Sequence, residues 1–154
     1  MPKIDPSSAP ELSGSSYPAP FDEPCKGRRA QRLGEAAGLT QFGVNLVTLP
    51  PGAWSSQRHW HALEDEFVQV LSGELVLIED EGETVLKAGD SAGFRAGQRN
   101  GHHLVNRSGA EASFLVVGSR DLDDHGEYPD VDMRFQRRYV GQTSAYSRKD
   151  GTPY

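Results

Sequence analysis

The stretch Gly52 to Gly73, G-A-W-S-S-Q-R-H-W-H-A-L-E-D-E-F-V-Q-V-L-S-G, decides how the rest of the chain is read. It places His59 and His61 two residues apart, then Glu66, then an alternating apolar run that ends in glycine. On a β-strand, side chains at i and i+2 share a face, so His59 and His61 are expected to project together, with Trp60 on the other side. Two imidazoles and a carboxylate on one surface suit the coordination shell of a borderline divalent metal. Beyond Glu66 the same parity turns Val68 and Val70 inward as an apolar floor. Gln57 shares the parity of His59 and is expected to line the same cavity.

Upstream, Phe42 to Leu49 alternates as a strand, and Pro50-Pro51-Gly52 stops it. Downstream, Phe67 to Leu71 reads as a strand, Ser72-Gly73 as a turn and Leu75 to Ile78 as a strand. Glu79 to Glu83 then reads as an acidic turn and Thr84 to Lys87 as the returning strand, followed by Ala88-Gly89-Asp90. His102 to Asn106 and Ala112 to Val117 are two more strands, and Met133 to Val140 is a last one. Lys26 to Leu33 is basic and reads as an edge strand, where charge discourages aggregation. Gly34 to Gly38 is too short for a stable helix and reads as a loop or single turn. Short strands at regular spacing, bounded by glycine, indicate an all-β sandwich or barrel.

Residues 1 to 24 hold six of the ten prolines and many serines. Proline fixes φ and lacks a donor, so this arm is either a flexible leader or an extended segment anchored on the domain by Tyr17 and Phe21. The domain division is therefore an arm over 1–24, a single β-barrel over 25–140 and a polar tail over 141–154. The 154 residues carry a net charge of −6 and no cationic block, which argues against nucleic acid or an anionic membrane as partner. No run approaches the roughly 18 apolar residues of a membrane span, and no apolar leader is evident. The single cysteine, Cys25, suits a reducing compartment, so a cytoplasmic protein is expected.

Gly52, His59-x-His61-x4-Glu66-x6-Gly73 resembles the first signature motif of the cupin superfamily, with one extra residue between the glycine and the first histidine. Gly89, Gly97, His102 and Asn106 resemble the second, in which His102 and Asn106 keep the His-x3-Asn spacing. Arg95 stands where the motif has proline, and the gap from Gly97 to His102 is two residues longer than usual. The likeness spans about residues 42 to 118 and implies a double-stranded β-helix, a jelly-roll barrel with the metal inside. It implies His59, His61, Glu66 and His102 as ligands of one divalent ion (Zn, Fe, Mn or Ni), and a homodimer formed through outer sheet strands. The wording A-G-D-S-A-G-F-R-A-G-Q-R-N-G-H-H-L-V-N-R-S resembles bacterial single-domain cupins described as sugar-phosphate-isomerase-like.

Three imidazoles and one carboxylate leave one or two positions open on a five- or six-coordinate metal, as catalysis requires. Parity that turns His102 inward also turns Leu104 inward and His103 outward; His103 stays open as the alternative to His102, and Glu64 as the alternative to Glu66. Asn106 is expected to tie down a turn, and Trp54 and Trp60 to act as hydrophobic cover. Arg58, Arg95 and Arg99 are read as solvated loop charges, with anion binding the competing reading. His125 reads as a surface residue, and Tyr128-Pro129-Asp130 as a segment packed over a barrel mouth or a partner subunit. The function expected is a metal-dependent enzyme (isomerase, lyase or decarboxylase, or oxygenase) acting on a small polar or anionic metabolite. The competing reading is a non-catalytic small-molecule sensor using the same pocket.

Overall fold

A computed structural model describes residues 3–137 and 145–154. In chain order the described elements are β1 (Glu11–Ser13), β2 (Arg29–Gln31), α1 (Leu33–Ala36), β3 (Phe42–Leu49), β4 (Glu66–Ser72), β5 (Glu74–Glu79) and β6 (Gly82–Lys87). There follow β7 (Ser91–Phe94), β8 (His103–Val105), β9 (Ala112–Ser119), β10 (His125–Tyr128), β11 (Met133–Gln136) and β12 (Ala145–Ser147). They make a six-stranded sheet in the order β1-β2-β3-β9-β4-β7, a three-stranded sheet β6-β5-β8 and a small sheet β10-β11-β12.

Alternation decides which faces meet. Val47 and Leu49 of β3, Val68 and Val70 of β4 and Phe114 of β9 turn inward from the large sheet. They pack on Leu75 and Leu77 of β5, Leu86 of β6 and Leu104 of β8, so one apolar core fills the space between the sheets. Burying each such side chain contributes about 1.5–3 kcal/mol, which offsets the cost of ordering the many loops. Gly73 sits between β4 and β5 at φ +74°, where any added Cβ would press on Ala112 at 2.8 Å, so the turn that closes the opening stretch requires glycine. Asn106 ties its turn as expected, donating to the carbonyls of Leu49 and Ala110 while its own oxygen accepts from Ser108. The result is the expected all-β double-stranded β-helix.

Several elements depart from the expectation. The basic strand is not an edge, because β1 of the arm pairs outside it in the register Leu12↔Ala30. The arm is laid across the domain: Tyr17 and Phe21 pack on the buried cluster Tyr128, Met133 and Phe135 of the small sheet. β7 carries no strand signal of its own, because Ser91-Ala92-Gly93-Phe94 is too small and glycine-broken to alternate; its partner β4 organises it. The last strand ends at Gln136, and residues 138–140 of the expected Met133 to Val140 lie outside the described residues. Ala145–Ser147, in the segment read as a tail, pairs with β11. Most consequentially, the histidine stretch is not a regular strand. Between Gly52 and Asp65 it is an irregular extended segment held by isolated bridges, Trp54 to Val105 and His59 to His102.

Candidate metal centre

That irregular segment runs between two neighbours. On one side His59 and His102 exchange backbone hydrogen bonds of 3.2 and 2.9 Å. On the other, Ala62 donates to the carbonyl of His125 at the start of β10. Without a ladder, the i, i+2 relation still holds: the Nε2 atoms of His59 and His61 lie 3.1 Å apart. Trp60 turns away and is buried, with the Arg99 guanidinium over its ring.

Glu66 opens β4 beneath them. Its Oε2 lies 3.6 Å from His61 Nε2 and 3.6 Å from His102 Nε2. His102 stacks face to face on Phe94, 3.6 Å between centroids. His103 behaves as parity requires: its Nδ1 lies 2.8 Å from the Ser56 carbonyl and its ring packs edge-on against Trp54. Thus the structure brings His59, His61, Glu66 and His102 together, and it is His102 that reaches Glu66. Glu64 is buried with both oxygens engaged, one accepting from the Asp121 amide and the other paired with Arg137 at 2.8 Å.

Which nitrogen carries each proton follows from the partners. His59 Nδ1 lies 2.8 Å from the Gln57 carbonyl, an acceptor only, so Nδ1 is the protonated nitrogen and Nε2 presents a lone pair. His61 Nδ1 lies 2.7 Å from the Asp124 carboxylate, with the same consequence. Two lone pairs therefore face each other across 3.1 Å beside a carboxylate, and neither nitrogen of the buried His102 has any hydrogen-bond partner. Donors about 2.1 Å from an ion, at angles between roughly 90° and 120°, stand about 3.0–3.6 Å apart. The observed separations match for His59, His61 and Glu66, so these three donors fit a divalent cation, with His102 Nε2 3.6 Å from Glu66 beside them. A proton on one nitrogen also relieves the facing lone pairs, and the surroundings decide which ring takes it. Burial, then the like charges of His61 and His102, holds His59 down at about 3. Burial also works against charging His61, but the Asp124 hydrogen bond and the field of Glu66 outweigh it and raise its pKa. For Glu66, burial is outweighed by His102, His59 and His61, which bring the carboxyl down to about 2.

Two residues matter that sequence reasoning did not select. Asp124 is fully buried; beyond His61, its second oxygen accepts from the Leu63 amide at 2.9 Å, so it fixes both the ring and the chain that carries it. Phe135 of β11 packs against the His61 ring at 5.2 Å. Asp124 lay hidden in the run D-L-D-D-H, where three aspartates look alike and no period marks the one that turns inward. Gln57 does not line the cavity: its amide donates to the Phe21 carbonyl at 2.8 Å and pins the arm. Arg58 is no free loop charge, since it is paired with Asp80 and forked onto Asp130 at 2.7 and 2.8 Å. His125 is exposed on β10, and Tyr128 is buried beside His59.

The centre opens into a cavity of about 420 Å³, whose lining includes Arg28, Ser15 and Arg137 as well as the histidines. That volume suits one small metabolite.

Residues 45–118 match the model of the family described as "Cupin domain". Among solved structures, the chain is similar to a sugar phosphate isomerase from a cupin superfamily of Silicibacter pomeroyi DSS-3, with 49% identity and a TM-score of 0.94 over 99% of this chain and 96% of that one. A protein of Acidithiobacillus ferrooxidans ATCC 23270, provisionally assigned as a sugar phosphate isomerase, shares 28% identity with a TM-score of 0.73, covering 82% and 80%. The polyketide cyclase RemF of Streptomyces resistomycificus, 21% identical with a TM-score of 0.63 over 79% and 80%, shares the fold alone. No significant match is found among curated proteins. With half its residues identical to a cupin along nearly its whole length, and with both halves of the histidine motif assembled around one cavity, the chain belongs to the cupin superfamily.

Proposed function

We propose that this cupin is a divalent-metal-dependent enzyme acting on a small anionic metabolite, with His59, His61, Glu66 and His102 as the ligands of one Zn, Fe, Mn or Ni ion. The observation that carries the reading is the pair of facing Nε2 lone pairs beside Glu66, with both Nδ1 atoms already engaged. A bound ion would act as a Lewis acid on a substrate carbonyl or hydroxyl oxygen. The chain's own residues supply the rest. Asp124 and the Gln57 carbonyl hold two imidazoles in the tautomer that presents Nε2. Phe94, Tyr128 and Phe135 wall the rings and exclude water, which strengthens every charge interaction inside. Similarity to a sugar phosphate isomerase makes a phosphorylated sugar the substrate class to test first, with isomerisation the first reaction and lyase or oxygenase chemistry next.

A specific observation favours the sensor reading as the second choice: Asp124 and Glu64, the carboxylates beside His61 outside the ligand set, each have both oxygens engaged and offer no free base. Incubating metal-loaded protein with a panel of phosphorylated aldoses and ketoses, with products followed by NMR, separates the two. Conversion that stops on chelation supports the enzyme; saturable binding with no product across the panel supports the sensor.

As for the setting, we read the protein as a cytoplasmic homodimer. No helix among the described residues is long and apolar enough to cross a membrane, and Cys25 is buried as a thiol. On the outer face of the large sheet, Val44, Val117 and Phe67 lie side by side in register, and Phe67 is 44% exposed, which supports burial against a second copy.

A further inference from the structure

Among the described residues, five side chains carry a buried polar atom with no hydrogen-bond partner: Ser15, Asp22, Arg28, His102 and Arg137. Four of the five, all but Asp22, line the cavity of about 420 Å³ onto which the histidines open. Unsatisfied polar groups are rare in folded proteins, and their convergence on one space signals a missing partner rather than scattered defects. His102 belongs to the metal cluster. The remaining three are the Ser15 hydroxyl and the Nε–H groups of Arg28 and Arg137, all able to donate, so what completes them is an acceptor.

Arg28 is the most exceptional. Of the other arginines lining the cavity, Arg32 is paired with Glu35 and Arg137 with Glu64, while Arg120 donates to the Leu39 carbonyl at 3.1 Å. Arg28 has no carboxylate within ion-pair distance among the described residues, and there its guanidinium makes one hydrogen bond, a long 3.3 Å contact from Nη1 to the Gly14 carbonyl. Burial pulls its pKa down, against the weaker fields of Cys25, Tyr17 and Glu66, and Arg28 lines the same cavity as Glu66. Arg28 is partly buried with its Nε closed off from solvent, and a cation so desolvated without a counter-ion is unfavourable unless a ligand supplies the charge. The backbone holds Arg28 beside the arm: the Gly14 amide donates to the Arg28 carbonyl at 2.7 Å, next to Ser15.

We propose that Arg28, with the Ser15 hydroxyl of the arm, is the seat of the substrate's phosphate group, and that the N-terminal arm is thereby part of the binding site. Resting on the metal-enzyme reading above, this deepens it by naming a subsite. A guanidinium offers five donors in a planar fork that matches phosphate oxygens two at a time.

Inorganic phosphate is the probe. The full chain and its Arg28→Met, Arg28→Lys, Ser15→Ala and His59→Ala variants are melted in phosphate and in chloride at equal ionic strength, and metal content is measured on the same samples. Phosphate is expected to raise the Tm of the wild-type chain, and Arg28→Met to lose on the order of ten- to hundredfold in apparent phosphate affinity with its metal content unchanged. Arg28→Lys is expected to lose less, and Ser15→Ala a smaller amount again. In chloride, Arg28→Met is expected to melt at or above the wild-type chain, because an unpaired, partly buried charge is gone; a merely structural arginine would leave a less stable protein. The assignment is overturned if phosphate gives no shift in the wild-type chain, or if the shift survives Arg28→Met. If it survives there and vanishes in His59→Ala, phosphate sits on the histidine cluster instead. A larger shift with acetate than with phosphate overturns the choice of phosphate. Wild-type protein without metal but with Arg28-dependent phosphate binding would sink the metal reading and leave this seat standing.

Discussion

His61 is held from both sides: Nδ1 donates to Asp124 while Nε2 faces His59 and Glu66. Asp124 therefore sets the ring's tautomer and basicity from the side away from the ion, and such partners typically change metal affinity by about 10–100-fold. Asp124→Asn is expected to weaken metal binding by that order while leaving the fold intact, as read by competition against a chromophoric chelator; unchanged affinity would contradict the role. Protons compete for the same lone pair. His59 stays neutral down to about 3, but His61 has a raised pKa and so takes a proton first as pH falls. Metal affinity is accordingly expected to be full well above the ordinary histidine value and to be lost as pH drops through the raised pKa of His61; a pH-independent affinity between 8 and 5 would contradict it. The four clustered residues were legible because their spacing is local, three within eight positions and His102 in a motif of its own. Asp124 and Arg28 were not, since each acts across the fold, Asp124 on a histidine 63 positions away. Gln57 was misplaced because parity presumes a ladder that this segment lacks.

At the scale of elements, the centre depends on how closely β10 can approach the histidine segment. Gly126 of β10 is the contact point: an added Cβ there would collide with the Trp60 carbonyl oxygen and stand 2.6 Å from the Phe135 ring. The carbonyl is backbone lying between His59 and His61, so it yields only by moving both ligands. Gly126→Ala is expected to cost about 1–3 kcal/mol of stability, the usual range for overpacking, and to lower metal occupancy with it. A chemical-denaturation curve and elemental analysis on the same sample check both; a variant equal to wild type in both would show that β10 does not position the site. The strands with strong alternation, β3, β4 and β9, were legible. β1 and β7 were not, because one is three exposed residues in a proline-rich arm and the other is small and glycine-broken. Each is a strand only because a neighbour offers it a ladder.

For the whole molecule, the two-layered core was foreseeable from pattern, whereas the small third sheet with its aromatic cluster was not. The sheet comes from the C-terminal part of the chain, and its aromatic cluster is completed by the N-terminal arm, with Tyr17 set edge-on to Tyr128 at 5.4 Å and near Tyr146 of β12. The apolar outer face of the large sheet leads to an expected mass in light scattering of twice 16.8 kDa, and a monomer mass at micromolar concentration would reject the homodimer. All of this architecture converges on the space between His59, His61, Glu66 and His102. The most direct measurement is elemental analysis of protein purified without chelators or nickel resin, compared with His59→Ala and Glu66→Gln. The account predicts about one divalent ion per chain in the wild-type protein and strong depletion in both variants. Wild-type protein without bound metal, with His59→Ala behaving identically, would contradict it.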